Sequence, residues 1–146
     1  MDRDSAFSVV EARVQDVSNI LDVFRRNGQF VPAAEQVAAI WNEISGVPHI
    51  AVENGTGKVV GFCNVVREKQ FRGGVIFHAE NVVVSPQFQG LGVGSLLLQN
   101  VVSQAERSHA MRVALECQSD LVPFYRRIGF NVSGYHLTKQ LPRDTQ

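Results

Sequence analysis

At 146 residues and 16.1 kDa, 45% hydrophobic and 19% charged, the chain has room for one domain whose core needs no disulfide or metal staple. Fourteen basic side chains balance fourteen acidic ones and the pI is about 6.9, so nucleic acid and anionic membranes, which want clustered positive charge, are excluded as expected partners. Cys63 and Cys117 form no disulfide framework, no apolar run nears the roughly 20 residues of a bilayer span, and Met1–Ser5 are too polar for a signal peptide; the expectation is an intracellular, cytoplasmic domain.

In chain order, Phe7–Glu11 reads as a first strand. Apolar spacing then turns helical at Val17, Ile20, Leu21 and Phe24, with Asp16 as N-cap and Gly28 as stop. A second helix follows Pro32, with Val37, Ile40, Trp41 and Ile44 on one face and Gly46 closing it. His49–Glu53 and Val59–Arg67 are β-rich runs around Asn54-Gly-Thr-Gly57, a hairpin signal. After the Gly73-Gly74 turn comes a long strand, Val75–Val84. A glycine-rich loop leads to a helix, with Leu97, Val101 and Val102 on one face, that ends near His109. Arg112–Cys117 is a short apolar strand. A short helix capped by Ser119 or Asp120 holds Pro123 in its first turn and stops at Gly129. Asn131–Leu141 reads as a closing strand. An antiparallel middle with one late β-α-β crossover predicts a mixed α/β sheet of six or seven strands flanked by helices, in a single domain over residues 1–146.

The most informative stretch is Gln89-Gly-Leu-Gly-Val-Gly94, between a strand and a helix. Alternating glycines remove side chains where a backbone must approach a ligand, and a helix N-terminus suits phosphate. Three readings compete. A plain turn would not require three glycines. A dinucleotide-binding fingerprint nearly fits Gly90-x-Gly92-x-x-Ser95, with Glu116 at the end of the next strand as the ribose acid. Against that, Ser95 stands where Gly or Ala belongs, and Ser85–Gln89 separate strand from glycine.

The third reading is a resemblance. Val82-Val-Val-Ser-Pro-Gln-Phe-Gln-Gly-Leu-Gly-Val-Gly-Ser-Leu-Leu-Leu98 resembles motif A of the GCN5-related N-acetyltransferases (GNAT), whose Gln/Arg-x-x-Gly-x-Gly/Ala core is met by Gln89, Gly92 and Gly94. Phe124-Tyr-Arg-Arg-Ile-Gly-Phe130 resembles the family's motif B. The two motifs span about residues 75–110 and 112–130. The resemblance implies acetyl-CoA as co-substrate and no metal. Backbone groups of Gln89, Gly90, Leu91, Gly92, Val93 and Gly94 would hold the pyrophosphate, and an N–H around Val82, Val83 or Val84 would meet the oxyanion. His78 and His109 lack partners at metal-ligand spacing.

Within that superfamily the chain resembles the glucosamine 6-phosphate N-acetyltransferases of UDP-N-acetylglucosamine biosynthesis. The likeness rests on Val23-Phe-Arg-Arg-Asn-Gly28, Ile40-Trp-Asn-Glu43, Glu68-Lys-Gln-Phe-Arg72, His78-Ala-Glu-Asn-Val-Val-Val84 and Leu115-Glu-Cys117. It implies an amino sugar phosphate as substrate and a homodimer whose C-terminal strands complete each other's sites. Glu116 would be catalytic beside the acetyl group, and Tyr125 would protonate the departing sulfur and touch the cofactor. Substrate would be met by Arg25, Gln70, Phe71, Arg72, Glu80, Asn81, Met111, Arg112, Lys139 and Gln140, with Arg72 and Arg112 suited to phosphate. The sequence departs from that pattern with Asn81 for Asp, Leu121 for Asn, Arg25 for Thr and Gln140 near an Arg position. An acetyltransferase for another small amine, amino acid or protein N-terminus, and a non-catalytic acyl-CoA-binding domain, are the alternative readings.

Overall fold

The computed structural model describes residues 6–143, apart from the side chain of Ala34; Met1–Ser5, on which the signal-peptide expectation rests, lie outside the described residues. The chain gathers into two compact units, Met1–Leu115 and Glu116–Gln146. The first holds β1 (Phe7–Glu11), α1 (Val17–Arg26), α2 (Val37–Glu43), β2 (Val47–Glu53), β3 (Val59–Lys69), β4 (Val75–Val84), α3 (Val93–Arg107) and β5 (Arg112–Ala114). Its sheet runs in the order β1-β2-β3-β4-β5, antiparallel except for the parallel pair β4 and β5 joined through α3.

β3 sits at the centre, and Val59–Val65 are all buried because helices cover both sheet faces. On one face α1 lays Ile20 and Val23 against Ile50, Val59 and Phe62, with Phe24 and Trp41 packed alongside. On the other, α3 buries Val93, Leu97, Leu98, Val101 and Ala105. Adjacent residues of a strand point to opposite faces, and Gly61, next to Phe62, faces α3. A Cβ there would lie 3.0 Å from Val93 Cγ1 and 3.2 Å from Leu97 Cδ1, so glycine lets the first turns of α3 rest on the sheet. Gly61→Val should therefore overpack this contact, costing about 1–3 kcal/mol. Thermal denaturation should show the lower melting point, and an unchanged one would mean that α3 has room to move.

Helix starts and stops follow local chemistry. The first begins one step earlier than Asp16 suggests. A single turn, Val14–Asp16, precedes α1, and Asp16 Oδ2 accepts the backbone N–H of Arg13 at 2.8 Å. Asp16 thus caps by reaching back rather than by covering the amides ahead of it. At the other end, Gly28 adopts φ +74°, with its N–H donated to Arg25 O and that of Gln29 to Phe24 O, the paired bonds of a Schellman stop.

The second unit holds a turn at Ser119–Leu121 and α4 (Val122–Ile128), with a proline in the first turn and Gly129 at φ +108° as its stop. The sheet has five strands, not six or seven. The expected strand over 131–141 is not formed, and β5 ends at Ala114 rather than Cys117. A strand has no hydrogen bonds of its own and needs a ladder partner. Beside 131–141 there is none among the described residues, and Val132, Tyr135, Leu137 and Leu141 are exposed.

Candidate active site

β4 carries the main irregularity of the sheet. Phe62 pairs with Val83 and Asn64 with Glu80, so Asn81 and Val82 together face the single residue Cys63. This is a β-bulge, and Asn81 takes φ +55° there, a left-handed conformation that asparagine tolerates better than most residues. On its other side β4 pairs with β5 only through Ile76, Phe77 and His78. From Ala79 to Val84 that edge has no strand beside it among the described residues, which leaves backbone groups of the Val82–Val84 segment open to a ligand.

The chain then turns through Pro86–Phe88 to the glycines. Gly90 has φ +80° and Gly92, the N-cap of α3, has φ +85°. A Cβ on either would meet no protein atom within 4 Å, so backbone conformation, not crowding, calls for glycine. No side chain caps α3, and its first intrahelical bond is Leu96 N to Gly92 O at 3.0 Å. The amides of Val93, Gly94 and Ser95 therefore lack intrahelical acceptors, at the positive end of a 15-residue helix. The expected pyrophosphate residues split in two here. Gly90–Gly94 present backbone, whereas the exposed Gln89 side chain bonds back to the protein, donating from Nε2 to Val84 O at 3.1 Å and Asn27 Oδ1 at 3.4 Å.

The expected substrate residues of this unit fall into three places. Gln70–Gly74 form a turn closed by Gln70 N to Gly74 O at 3.0 Å, and Met111 covers Gly74 so closely that a Cβ there would strike its sulfur. Phe71, Arg72, Met111 and Arg112 are thereby gathered at one corner of the sheet, all exposed. Neither arginine makes an ion pair among the described residues. Glu80 and Asn81 lie at the bulge. Arg25, two residues before Asn27, is tied to Asp22 at 3.4 Å, and Asn27 is bonded to Val84 at the far end of β4. Arg112 pairs in register with Ile76 at the near end. At about 3.3 Å per residue, Ile76 and Val84 are separated by roughly 26 Å of strand, so Arg25 and Arg112 start from opposite ends of β4.

A polar cluster beside that corner escaped the sequence. Glu68 Oε1 accepts from His78 Nε2 at 2.9 Å and Gln70 Nε2 at 2.8 Å, which holds the carboxyl below its ordinary range. Cys63 is buried, and desolvation pushes its thiol up to about 12, so it is no nucleophile at neutral pH. A cavity of about 470 Å³ near Gly46 and His49 is a separate feature. Its His49 is fully engaged, Nδ1 on Val47 O and Nε2 on Gln104.

In the second unit, Glu116 and Cys117 are exposed, and Glu116 Oε1 lies 3.1 Å from His136 Nδ1, a partner the sequence did not suggest. Tyr125 is buried on α4, edge-on to Phe124 at 5.0 Å and Phe130 at 6.1 Å. Lys139 and Gln140 are exposed in the irregular segment that follows.

The acetyltransferase (GNAT) domain family matches residues 45–132, more than half of the chain and across both units. The chain belongs to the GNAT acetyltransferases. A glucosamine 6-phosphate N-acetyltransferase of Trypanosoma brucei brucei is 32% identical over 77 residues, 51% of this chain and 52% of that protein. Serotonin N-acetyltransferase 2, chloroplastic, from Oryza sativa subsp. japonica is 28% identical over 122 residues, 79% of this chain and 56% of that one. The matches thus span only about half the length of these curated relatives. The crystal structure of glucosamine-6-phosphate N-acetyltransferase from Arabidopsis thaliana superposes with a TM-score of 0.83 over 93% of this chain and 99% of that one, at 20% identity, and so shares the fold. GNAT enzymes use acetyl-CoA as co-substrate, and the uncapped α3 behind two left-handed glycines fits its pyrophosphate. Among the described residues no helix is long and apolar enough to cross a membrane, and no three His, Cys, Asp or Glu side chains gather to hold a metal ion.

Proposed function

We propose that the protein transfers the acetyl group of acetyl-CoA to the amine of glucosamine 6-phosphate, giving N-acetylglucosamine 6-phosphate, and works as a homodimer. The observation that carries the acceptor is the corner holding Arg72 and Arg112, two exposed guanidiniums free of ion pairs among the described residues, next to the polar Glu68, Gln70 and His78. Guanidinium forks suit a phosphate monoester. The name of the trypanosomal relative supports the same acceptor.

In the proposed reaction the amine attacks the thioester carbonyl directly, in a ternary complex with both substrates. The ammonium of the sugar first gives up a proton, to Glu80, Glu116 or a water. Attack forms the C–N bond and places negative charge on the carbonyl oxygen, for which a backbone N–H of the unladdered Val82–Val84 segment is the proposed donor. Collapse breaks the C–S bond, the departing thiolate takes a proton from the Tyr125 hydroxyl, and the second proton lost by the acylated nitrogen returns, through water, to restore the phenol.

The longer match to a serotonin N-acetyltransferase favours a second reading, transfer to another small amine. One acceptor panel separates the two. With acetyl-CoA as donor, glucosamine 6-phosphate should be acetylated with a specificity constant at least tenfold above those of glucosamine, serotonin and simple amino acids. Equal rates with and without the 6-phosphate would transfer the assignment to the second reading.

A further inference from the structure

Asn27 has been given no role at the site so far, yet it joins the end of α1 to the glycine loop. Its Nδ2 donates to Val23 O at 2.8 Å, within its own helix, and to Val84 O at 3.1 Å, across 57 residues of sequence. Both amide hydrogens are thereby used. Its Oδ1 receives the Nε2 of Gln89, which also reaches Val84 O. The last carbonyl of β4 thus accepts two side-chain amides, one from each side of the turn. Asn27 is half-buried, and Gln89 is the residue immediately before Gly90. Between Val84 and Gly90 the backbone has few other ties: Ser85 N bonds to Val60 O, and Phe88 and Gln89 close a single turn. Two left-handed glycines follow, and glycine has the least restricted backbone of any residue.

We infer that Asn27 is a positioning residue for the cofactor: through Gln89 and the Val84 carbonyl it fixes the loop so that the amides at the start of α3 are aimed before the pyrophosphate arrives. An ordered loop spares the complex the entropy of fixing free backbone on binding. The same bonds tie the turn after α1 to the cofactor loop. The inference rests on the acetyl-CoA reading and extends it to a residue that makes no cofactor contact of its own.

The test is calorimetric titration of the purified protein with CoA, next to melting curves. Asn27→Ala should raise the CoA Kd roughly tenfold, the size expected of one or two neutral hydrogen bonds lost from the loop. The kcat at saturating acetyl-CoA should change less than threefold. S-acetylpantetheine, which lacks the pyrophosphate, should be used equally well as donor by variant and wild type. Asn27→Ala combined with Gln89→Ala should be no worse than the more affected single variant, because both act through one network. A CoA Kd within twofold of wild type in a folded Asn27→Ala protein overturns the inference, as do equal losses with acetyl-CoA and S-acetylpantetheine. Should Asn27→Ala not fold, Gln89→Leu, which keeps the bulk and loses the amide, must show the same selective loss. A wild-type protein that binds no CoA would overturn the acetyl-CoA reading and this inference together.

Discussion

Tyr125→Phe should lower turnover by about 10²–10⁴-fold, the usual worth of a positioned general acid. The Tyr125 ring is buried and packs edge-on against Phe124 and Phe130, and phenylalanine reproduces both contacts. What the substitution removes is the hydroxyl. Melting temperature should therefore move by no more than a few degrees, since one hydrogen bond is worth about 0.5–1.5 kcal/mol net. CoA affinity should also hold, because the proposed pyrophosphate site is the start of α3, not Tyr125. Single-turnover acetylation at saturating acetyl-CoA isolates the step, and raising the basicity of the leaving thiol should deepen the defect if the phenol protonates it. Near wild-type turnover would reassign Tyr125 to packing. A wild-type protein that binds CoA but acetylates no acceptor would instead favour a domain that binds acyl-CoA without acting on it, which needs the glycine loop and has no use for the phenol.

Features with a local cause were legible in the sequence. Val75–Val84 and Phe7–Glu11 are strands over the residues that alternation and β-branching mark. The Asn54–Gly57 hairpin, the proline that opens α4 and the glycines that end α1 and α4 follow from backbone preferences any reader can apply. The motif A glycines marked a loop between a strand and a helix, and two of them, Gly90 and Gly92, are left-handed there. What sequence concealed depends on partners far along the chain. The bulge at Asn81 is one residue of register slippage against Cys63, with no signal in composition beyond an asparagine able to turn left-handed. Asn27 reads as a helix-end residue until Val84, 57 positions later, comes beside it. His78 and Glu68 meet across two strands, and Glu116 finds His136 in a stretch that sequence assigned to a strand. That stretch was misread for the same reason: alternation shows which residues share a face, whereas a strand exists only where another lies alongside. The candidate substrate residues were chosen by resemblance, one position at a time. The length of β4 then separates Arg25 from Arg112, a constraint no single position can carry.

Arg112→Ala should cut the specificity constant for glucosamine 6-phosphate about ten- to hundred-fold while leaving that for glucosamine nearly unchanged. Arg112 opens β5, is exposed, and makes no ion pair among the described residues, so its removal breaks no internal contact and should not unfold the sheet. A hydrogen bond to a charged group is worth about 1.5–3 kcal/mol, which sets the size of the loss. Unphosphorylated glucosamine has nothing for the guanidinium to hold. Arg112→Lys should recover only part of the loss, because an ammonium keeps the charge but not the planar fork that grips two phosphate oxygens. Arg72→Ala tests the other side of the same corner. If both arginines share one phosphate, the double variant should lose less than the sum of the two single losses, since the second guanidinium removed no longer finds the anion held in place. Salt should mimic these substitutions: raising ionic strength screens exposed charges and should erode the preference for the phosphorylated sugar in wild type more than in Arg112→Ala. Equal losses on both sugars would make Arg112 a structural residue. Retention of the full preference in the double variant would move the phosphate away from this corner, toward the cationic side chains of the C-terminal segment, where Lys139 is the next to replace.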